Sequence, residues 1–278
     1  MARTPLAVVT GASRGLGRTI ARALSRGGAR LLLVARDARA LAAVAAETPD
    51  AATLSLDISV ENAASLVADE ARRLGGADIL INNAAIQGPI GRAVDADLRA
   101  VEQTIRLDLL APMALIQALA PQMTAKGAGW IVNISGGGAV SPRPMFAAYG
   151  SAKAALVRLS ETLAAELAAD GVRVNAVAPG AFASGMTAET VAAGEAASTE
   201  SAAARRLLES NDDAAARKAA DLVSYLVLGE GRNITGRLIS AVWDPWPGLH
   251  ERIDELLGSD IYTVRRITPA DRGRDWSR

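Results

Sequence analysis

The chain has 278 residues, half of them apolar and few aromatic, with 30 basic and 30 acidic side chains and no cysteine. Its length suits one large α/β domain or two small ones. Balanced charge gives no reason to expect nucleic acid or a membrane surface as a partner, and the lack of cysteine excludes disulfides, thiolate catalysis and cysteine-ligated metals.

No run of about twenty uninterrupted apolar residues occurs, and the N-terminus leads straight into a strand pattern, so a soluble, cytoplasmic protein is expected. Residues 6–10 form a short apolar run that ends in Gly11-Ala-Ser-Arg-Gly15-Leu-Gly17. A helical pattern follows through Ile20, Ala21 and Leu24. Strand, glycine turn and helix are the context in which backbone N–H groups cradle a phosphate. Residues 30–34 predict a second buried strand and 37–47 a helix, which makes the opening a βαβ unit.

The residues after the second strand bear on the nucleotide. An acid there holds a ribose 2′-hydroxyl, whereas a basic residue accommodates a 2′-phosphate. Arg36 stands at this place and Arg14 lies in the glycine turn, so NADP(H) is preferred, with NAD(H) possible. Asp37 either pairs with Arg36 or meets the ribose.

Further along, residues 52–57 predict a third strand ending at Asp57-Ile58, 60–74 a helix, and 77–81 a fourth strand running into Asn82-Asn83-Ala84-Ala85. Bracing of neighbouring strands is the expected role of Asn83. A long helix over 98–119 precedes a fifth strand at 129–134, then the turn Ser135-Gly-Gly-Gly138 and a loop fixed by Pro142 and Pro144. In Tyr149-Gly-Ser-Ala-Lys153 the two polar side chains stand one helical turn apart. An ammonium within a few ångströms of a phenol favours the phenolate, so Tyr149 can exchange a proton.

Leu156, Leu159, Leu163 and Leu167 continue this helix as an apolar stripe. A sixth strand at 172–177 ends in Ala178-Pro179-Gly180. Residues 181–211 are small and weakly periodic, in keeping with a lid over a site or a surface insertion. A helix over 214–228 and a seventh strand at 238–242 close the pattern. Alternating strands and helices predict a Rossmann-like, doubly wound parallel sheet of about seven strands with helices on both faces. Residues 1–242 are expected to form one catalytic domain and 243–278 a C-terminal extension.

Together the motifs resemble the short-chain dehydrogenase/reductase family over about residues 5–242. They are Thr10-Gly-x-x-x-Gly15-x-Gly17, Asp57, Asn82-Asn83-Ala84, Tyr149-x-x-x-Lys153, Asn175, Pro179-Gly180 and Thr235-Gly236, in family order. The resemblance implies hydride transfer between a nicotinamide cofactor and the carbonyl or secondary alcohol of a small metabolite, usually in a homodimer or homotetramer. Tyr149 would exchange the proton, and Lys153 would assist it and bind the nicotinamide ribose. Gly11, Ser13, Arg14, Gly15, Leu16 and Gly17 would seat the pyrophosphate. Arg36, Asp57 and Ile58 would meet the adenosine half, with Asn83, Ala84, Pro179 and Gly180 lining the remainder.

Three positions depart from the family pattern. The usual polarising serine, thirteen residues before the tyrosine, is Gly136. Ser135 beside it points the other way on an extended chain, and Ser135, Ser141, another donor or a water would have to substitute. The usual helix-borne asparagine is Asp108, and the usual Asn-Asn-Ala-Gly reads Asn82-Asn83-Ala84-Ala85. Two further readings stay open: a cofactor-binding protein without redox turnover, and an epimerase or dehydratase that recycles its nicotinamide.

Three of the four tryptophans lie beyond Val242. Trp243 and Trp246 either wall the substrate pocket or pack the extension on its own subunit or a neighbour. Arg265 and Arg266 would meet an anionic substrate or an acidic neighbour. His250 is the single histidine, which makes a catalytic metal unexpected.

Overall fold

Every residue of Leu6–Thr10, strand β1, is buried, because the strand runs through the middle of a seven-stranded parallel sheet. The computed structural model describes residues 4–210 and 212–276; Asn211, the last residue of the expected lid, and Ser277 and Arg278 of the extension lie outside the described residues. The other strands are β2 (Arg30–Ala35), β3 (Ala51–Ser55), β4 (Ile79–Asn82), β5 (Gly129–Ile134), β6 (Val172–Ala178) and β7 (Leu238–Ser240). Their order is β3-β2-β1-β4-β5-β6-β7, all parallel.

Side chains alternate between two cores, which is why the strands read as unbroken apolar runs. Ala7, Val9, Leu31, Leu33, Ile79 and Ile81 face one cluster, closed by α1 (Gly15–Arg26), α2 (Ala38–Ala45) and α9 (Ala214–Val227). Leu6, Val8, Leu32, Val34, Leu80 and Ile131 face the other, closed chiefly by α3 (Ala63–Arg73) and α5 (Ala111–Thr124). Leu6 pairs with Arg30 on one side of β1 and Ala7 with Ile79 on the other. The chain winds outward in opposite directions from these two edges. This switch point leaves a crevice beyond the strand ends, where a parallel sheet of this type takes its ligand.

The helix expected over 98–119 is three pieces. α4 (Leu98–Ile105) passes into a π-helical turn at Arg106–Leu110 and then into α5. The extra residue of the π turn rotates Asp108 into the protein, where it is fully buried. By length and composition Leu98–Thr124 could also cross a membrane, but its inner side packs on α3 and on α6 (Ala147–Glu166).

The weakly periodic stretch after β6 contains two helices, α7 (Gly185–Ala192) and α8 (Glu200–Ser210). Alanine-rich sequence favours helix without amphipathic periodicity, and Ser184 caps α7 by accepting from the Thr187 N–H at 3.1 Å.

Arg237, buried at the start of β7, anchors the extension. Its guanidinium donates to the carbonyls of Leu256, Ser259 and Ile261 at 2.5, 3.0 and 2.9 Å, and burial lowers its pKa. Trp246 turns inward onto Tyr225, ring centroids 5.4 Å apart, whereas Trp243 is 84% exposed at the cleft edge. Arg265 pairs within the extension, with Asp260 and Asp271. His250 lies against Tyr225 and Glu230, away from the cleft.

Candidate active site

Thr10 ends β1 and the chain reverses at Gly11, with φ +64°. A Cβ at Gly17 would stand 2.2 Å from the Gly11 carbonyl oxygen and 2.6 Å from the Asn83 amide nitrogen, so α1 can approach the turn this closely only without a side chain there. Asn83 braces the same turn. Its amide donates to the Thr10 carbonyl at 2.9 Å, and the Asn83 and Ala84 N–H groups donate to the Thr10 hydroxyl at 3.0 and 3.1 Å. The N-terminus of α1 is thereby held open toward the cleft with no side-chain cap, an arrangement suited to an anion.

The cleft measures about 1750 Å³. That exceeds the few hundred to about 1000 Å³ of a single small-ligand site and leaves room for a dinucleotide and a substrate together. Ser13, Arg14, Leu16, Arg36, Asp57, Ile58, Ala84, Pro179 and Gly180 line it. Arg14 and Arg36 are exposed, and neither forms an ion pair among the described residues. Asp37 caps α2, accepting from the Ala40 N–H at 2.9 Å, and forms no ion pair with Arg36. Asp57 accepts from the hydroxyl and N–H of Ser59 at 2.7 and 2.9 Å; these bonds, helped by the nearby Arg36 charge, lower its carboxyl pKa. The glycine cradle and free helix N-terminus fit a pyrophosphate-containing dinucleotide, and the Arg14 and Arg36 guanidiniums stand at the same cleft.

On the floor, Tyr149 stands in the first turn of α6 and is 8% exposed, with Lys153 one turn on and 2% exposed. The ammonium lies 5.5 Å from the Tyr149 ring centroid and donates to the Ile134 carbonyl at 3.2 Å. Behind it, outside the cleft wall, is Asp108. One carboxylate oxygen accepts from the Ile86 N–H at 2.9 Å; the other is 3.5 Å from the lysine, an ion-pair distance longer than a well-formed hydrogen bond. Burial raises the Asp108 pKa and the lysine charge opposes the rise. Asp108 therefore reaches the site through Lys153 and through the Ile86 N–H, whose residue lines the cleft.

The phenol oxygen occupies the space over Gly136. A Cβ there would be 2.1 Å from it, so a side chain at this position requires Tyr149 to shift. The Ser135 hydroxyl is buried and has no hydrogen-bond partner among the described residues. Ser135 is fixed through its N–H, which donates to the Val177 carbonyl at 2.8 Å. Ser141 is exposed and lines the cleft.

Other positions were not singled out by motif spacing. Asn133 accepts from the Asn82 amide at 2.8 Å and donates to the Ser160 hydroxyl at 2.9 Å, tying β4, β5 and α6 together beneath the site. Gln87 and Thr190 form a buried pair at 3.0 Å between the β4 loop and α7. Arg143 and Glu200 join the loop before α6 to α8. Such pairs cross long sequence separations, and an unaligned sequence carries no local signal for them. Among the described residues no group of three or more His, Asp or Glu side chains is arranged to hold a metal.

A sheet in this order, a glycine turn at its switch point and a dinucleotide-sized cleft define a nucleotide-binding protein of the Rossmann type. Comparison with known proteins narrows the class. The family model for short chain dehydrogenase matches residues 5–195, and the chain belongs to the short-chain dehydrogenase/reductase family of oxidoreductases. Galactitol 2-dehydrogenase (L-tagatose-forming) from Cereibacter sphaeroides is 39% identical over 185 residues, covering 65% of this chain and 72% of that protein. Human dehydrogenase/reductase SDR family member 4 is 35% identical over 181 residues, covering 63% of this chain; the match spans 65% of that relative's length. Among solved structures, an NAD+-bound xylitol dehydrogenase superposes with a TM-score of 0.75 at 25% identity, covering 85% of this chain and 96% of the other. A short-chain dehydrogenase from Streptomyces avermitilis superposes with a TM-score of 0.74 at 30% identity, covering 99% and 100%.

Proposed function

We propose that the protein is an NADP(H)-dependent oxidoreductase that interconverts a carbonyl and a secondary alcohol on a small metabolite. The observation that carries this reading is the buried Tyr149–Lys153 pair on the floor of a cleft whose far end offers a glycine cradle and two unpaired guanidiniums. The bound nicotinamide would supply or accept a hydride at the carbonyl carbon. Tyr149 gives its proton to the carbonyl oxygen during reduction and takes it back during oxidation. Lys153, held by the Ile134 carbonyl, stands beside the phenol and offers its ammonium to the nicotinamide ribose. Arg36 and Arg14 favour the 2′-phosphate of NADP(H) over the bare ribose of NAD(H).

The phenol's position over Gly136 supports a second reading. Gly136 supplies no hydroxyl where the family's polarising serine stands, and loss of one oxyanion-type donor typically costs about a hundred- to a thousandfold. A protein that binds NADPH without turnover would show that loss in full. The experiment is NADPH oxidation against a panel of ketones, aldehydes and oxo acids, with cofactor affinity measured in parallel. Turnover on at least one class supports the oxidoreductase reading. Tight NADPH binding with no turnover on any class supports the second.

The functional unit is proposed to be a homodimer or homotetramer. Leu98, Leu110 and Met113 are exposed along α4, the π turn and α5, an apolar surface suited to helix packing against a second copy.

A further inference from the structure

Arg143 lies in the loop between β5 and α6 and is held more firmly than a loop arginine needs to be. Its guanidinium carbon stands 3.8 Å above the ring centroid of Phe146, which is fully buried, and 5.7 Å from that of Tyr149. The aliphatic stem lies along the glycine turn: a Cβ at Gly138 would be 3.2 Å from Arg143 Cβ, and one at Gly137 would be 3.4 Å from its Cδ. The triple glycine thus seats both reactive elements, the phenol over Gly136 and the arginine stem over Gly137 and Gly138. The planar cation is stacked, its orientation is set, and its side chain is 20% exposed on the wall of the substrate end of the cleft.

A carboxylate already occupies that cation. Arg143 Nε donates to both oxygens of Glu200 at 2.9 and 3.0 Å, and a terminal nitrogen donates to one of them at 2.5 Å. Glu200 is the first residue of α8, in the segment that covers the cleft, and its side chain is 38% exposed. A partly solvated carboxylate can exchange for another carboxylate, whereas the stacked guanidinium stays in place. No other charged pair links α7 or α8 to the rest of the protein among the described residues. Displacing the Glu200 carboxylate leaves an oriented cation beside the Tyr149 phenol.

We propose that Arg143 is the anchor for a substrate carboxylate, and that Glu200 holds the same guanidinium edge when substrate is absent. The substrate class is then a short oxo acid or the corresponding hydroxy acid, with its carboxylate on Arg143 and its carbonyl oxygen on the Tyr149 hydroxyl. The choice of substrate class rests on the oxidoreductase reading above; the anion subsite itself does not.

The test is calorimetric binding of short 2-oxo, 3-oxo and 4-oxo acids and their methyl esters to the full chain, with and without NADP+. Wild type, Arg143→Met and Glu200→Gln are compared after thermal melts show that each variant is folded. At least one acid is expected to bind wild type about tenfold more tightly than its ester, the scale of a charge-assisted bidentate contact. Arg143→Met removes that preference and leaves ester binding unchanged. Glu200→Gln removes the internal competitor, so it tightens the acid and leaves the ester alone. Absence of acid binding, equal affinity for acid and ester throughout, or parallel loss of both in Arg143→Met overturns the subsite and leaves a purely structural latch. Turnover separates the two claims. Ester reduction without acid preference contradicts the subsite and keeps the reductase. Acid preference in binding, with no NADPH oxidation on any member, keeps the subsite and contradicts the reductase.

Discussion

Gly136 lies directly beneath the Tyr149 phenol. A Cβ there would be 2.1 Å from the phenol oxygen, so a serine at this position moves the ring. Gly136→Ser is expected to displace Tyr149 and lower kcat by about a hundredfold, the cost of misplacing a reacting group by roughly 1 Å, with NADPH affinity unchanged. A rise in kcat would contradict this packing. Asp108 calls for a different measurement. Burial raises its carboxyl pKa and the Lys153 charge opposes the rise, so the charged form costs stability as pH climbs through the ordinary carboxylate range. Asp108→Asn removes that cost, and thermal melts from about pH 4 to about pH 8 are expected to show wild type losing stability relative to the variant as the pH rises. A pH-independent difference would contradict the burial cost.

At the scale of elements, legibility followed the range of the interaction. The glycine turn and the Tyr149–Lys153 spacing were readable because each is local: one depends on backbone geometry within seven residues, the other on one helical turn. Asp108 was located by family register, but its burial depends on the π turn, and an apolar run of that length reads as one unbroken helix. α7 and α8 escaped detection because small residues give helix without a stripe. The Arg143–Glu200 and Gln87–Thr190 ties join segments 57 and 103 residues apart. Asn133 belongs to the same group. Asn133→Ala strands the Asn82 amide in a buried layer and takes one of its two partners from the Ser160 hydroxyl, which keeps its bond to the Leu156 carbonyl, and is expected to cost about 1–3 kcal/mol. Urea unfolding should show a lower midpoint with an unchanged slope; an unaltered midpoint would mean the amide chain is not under load.

For the whole molecule, the switch point of the sheet explains why residues from both halves of the chain meet. The β1 and β4 ends bring the glycine turn and its Asn83 brace, and α6, which follows β5 in the chain, brings Tyr149 and Lys153 beside them. The exposed stripe on α4 and α5 gives a test at the same scale. Leu110→Glu combined with Met113→Glu is expected to shift light-scattering mass toward the monomer, and an unchanged mass would place the contact between copies elsewhere. Cofactor choice is also a property of the assembled cleft: Arg36→Ala is expected to reduce the preference for NADPH over NADH by about tenfold, read as the ratio of kcat/KM values. The central claim is that Tyr149 carries the proton, and its most direct test is kcat for Tyr149→Phe on the best carbonyl substrate, with NADPH affinity measured on the same samples. A fall of at least about a hundredfold in kcat with NADPH affinity preserved is the predicted result; turnover that ignores the loss of the hydroxyl would contradict the account.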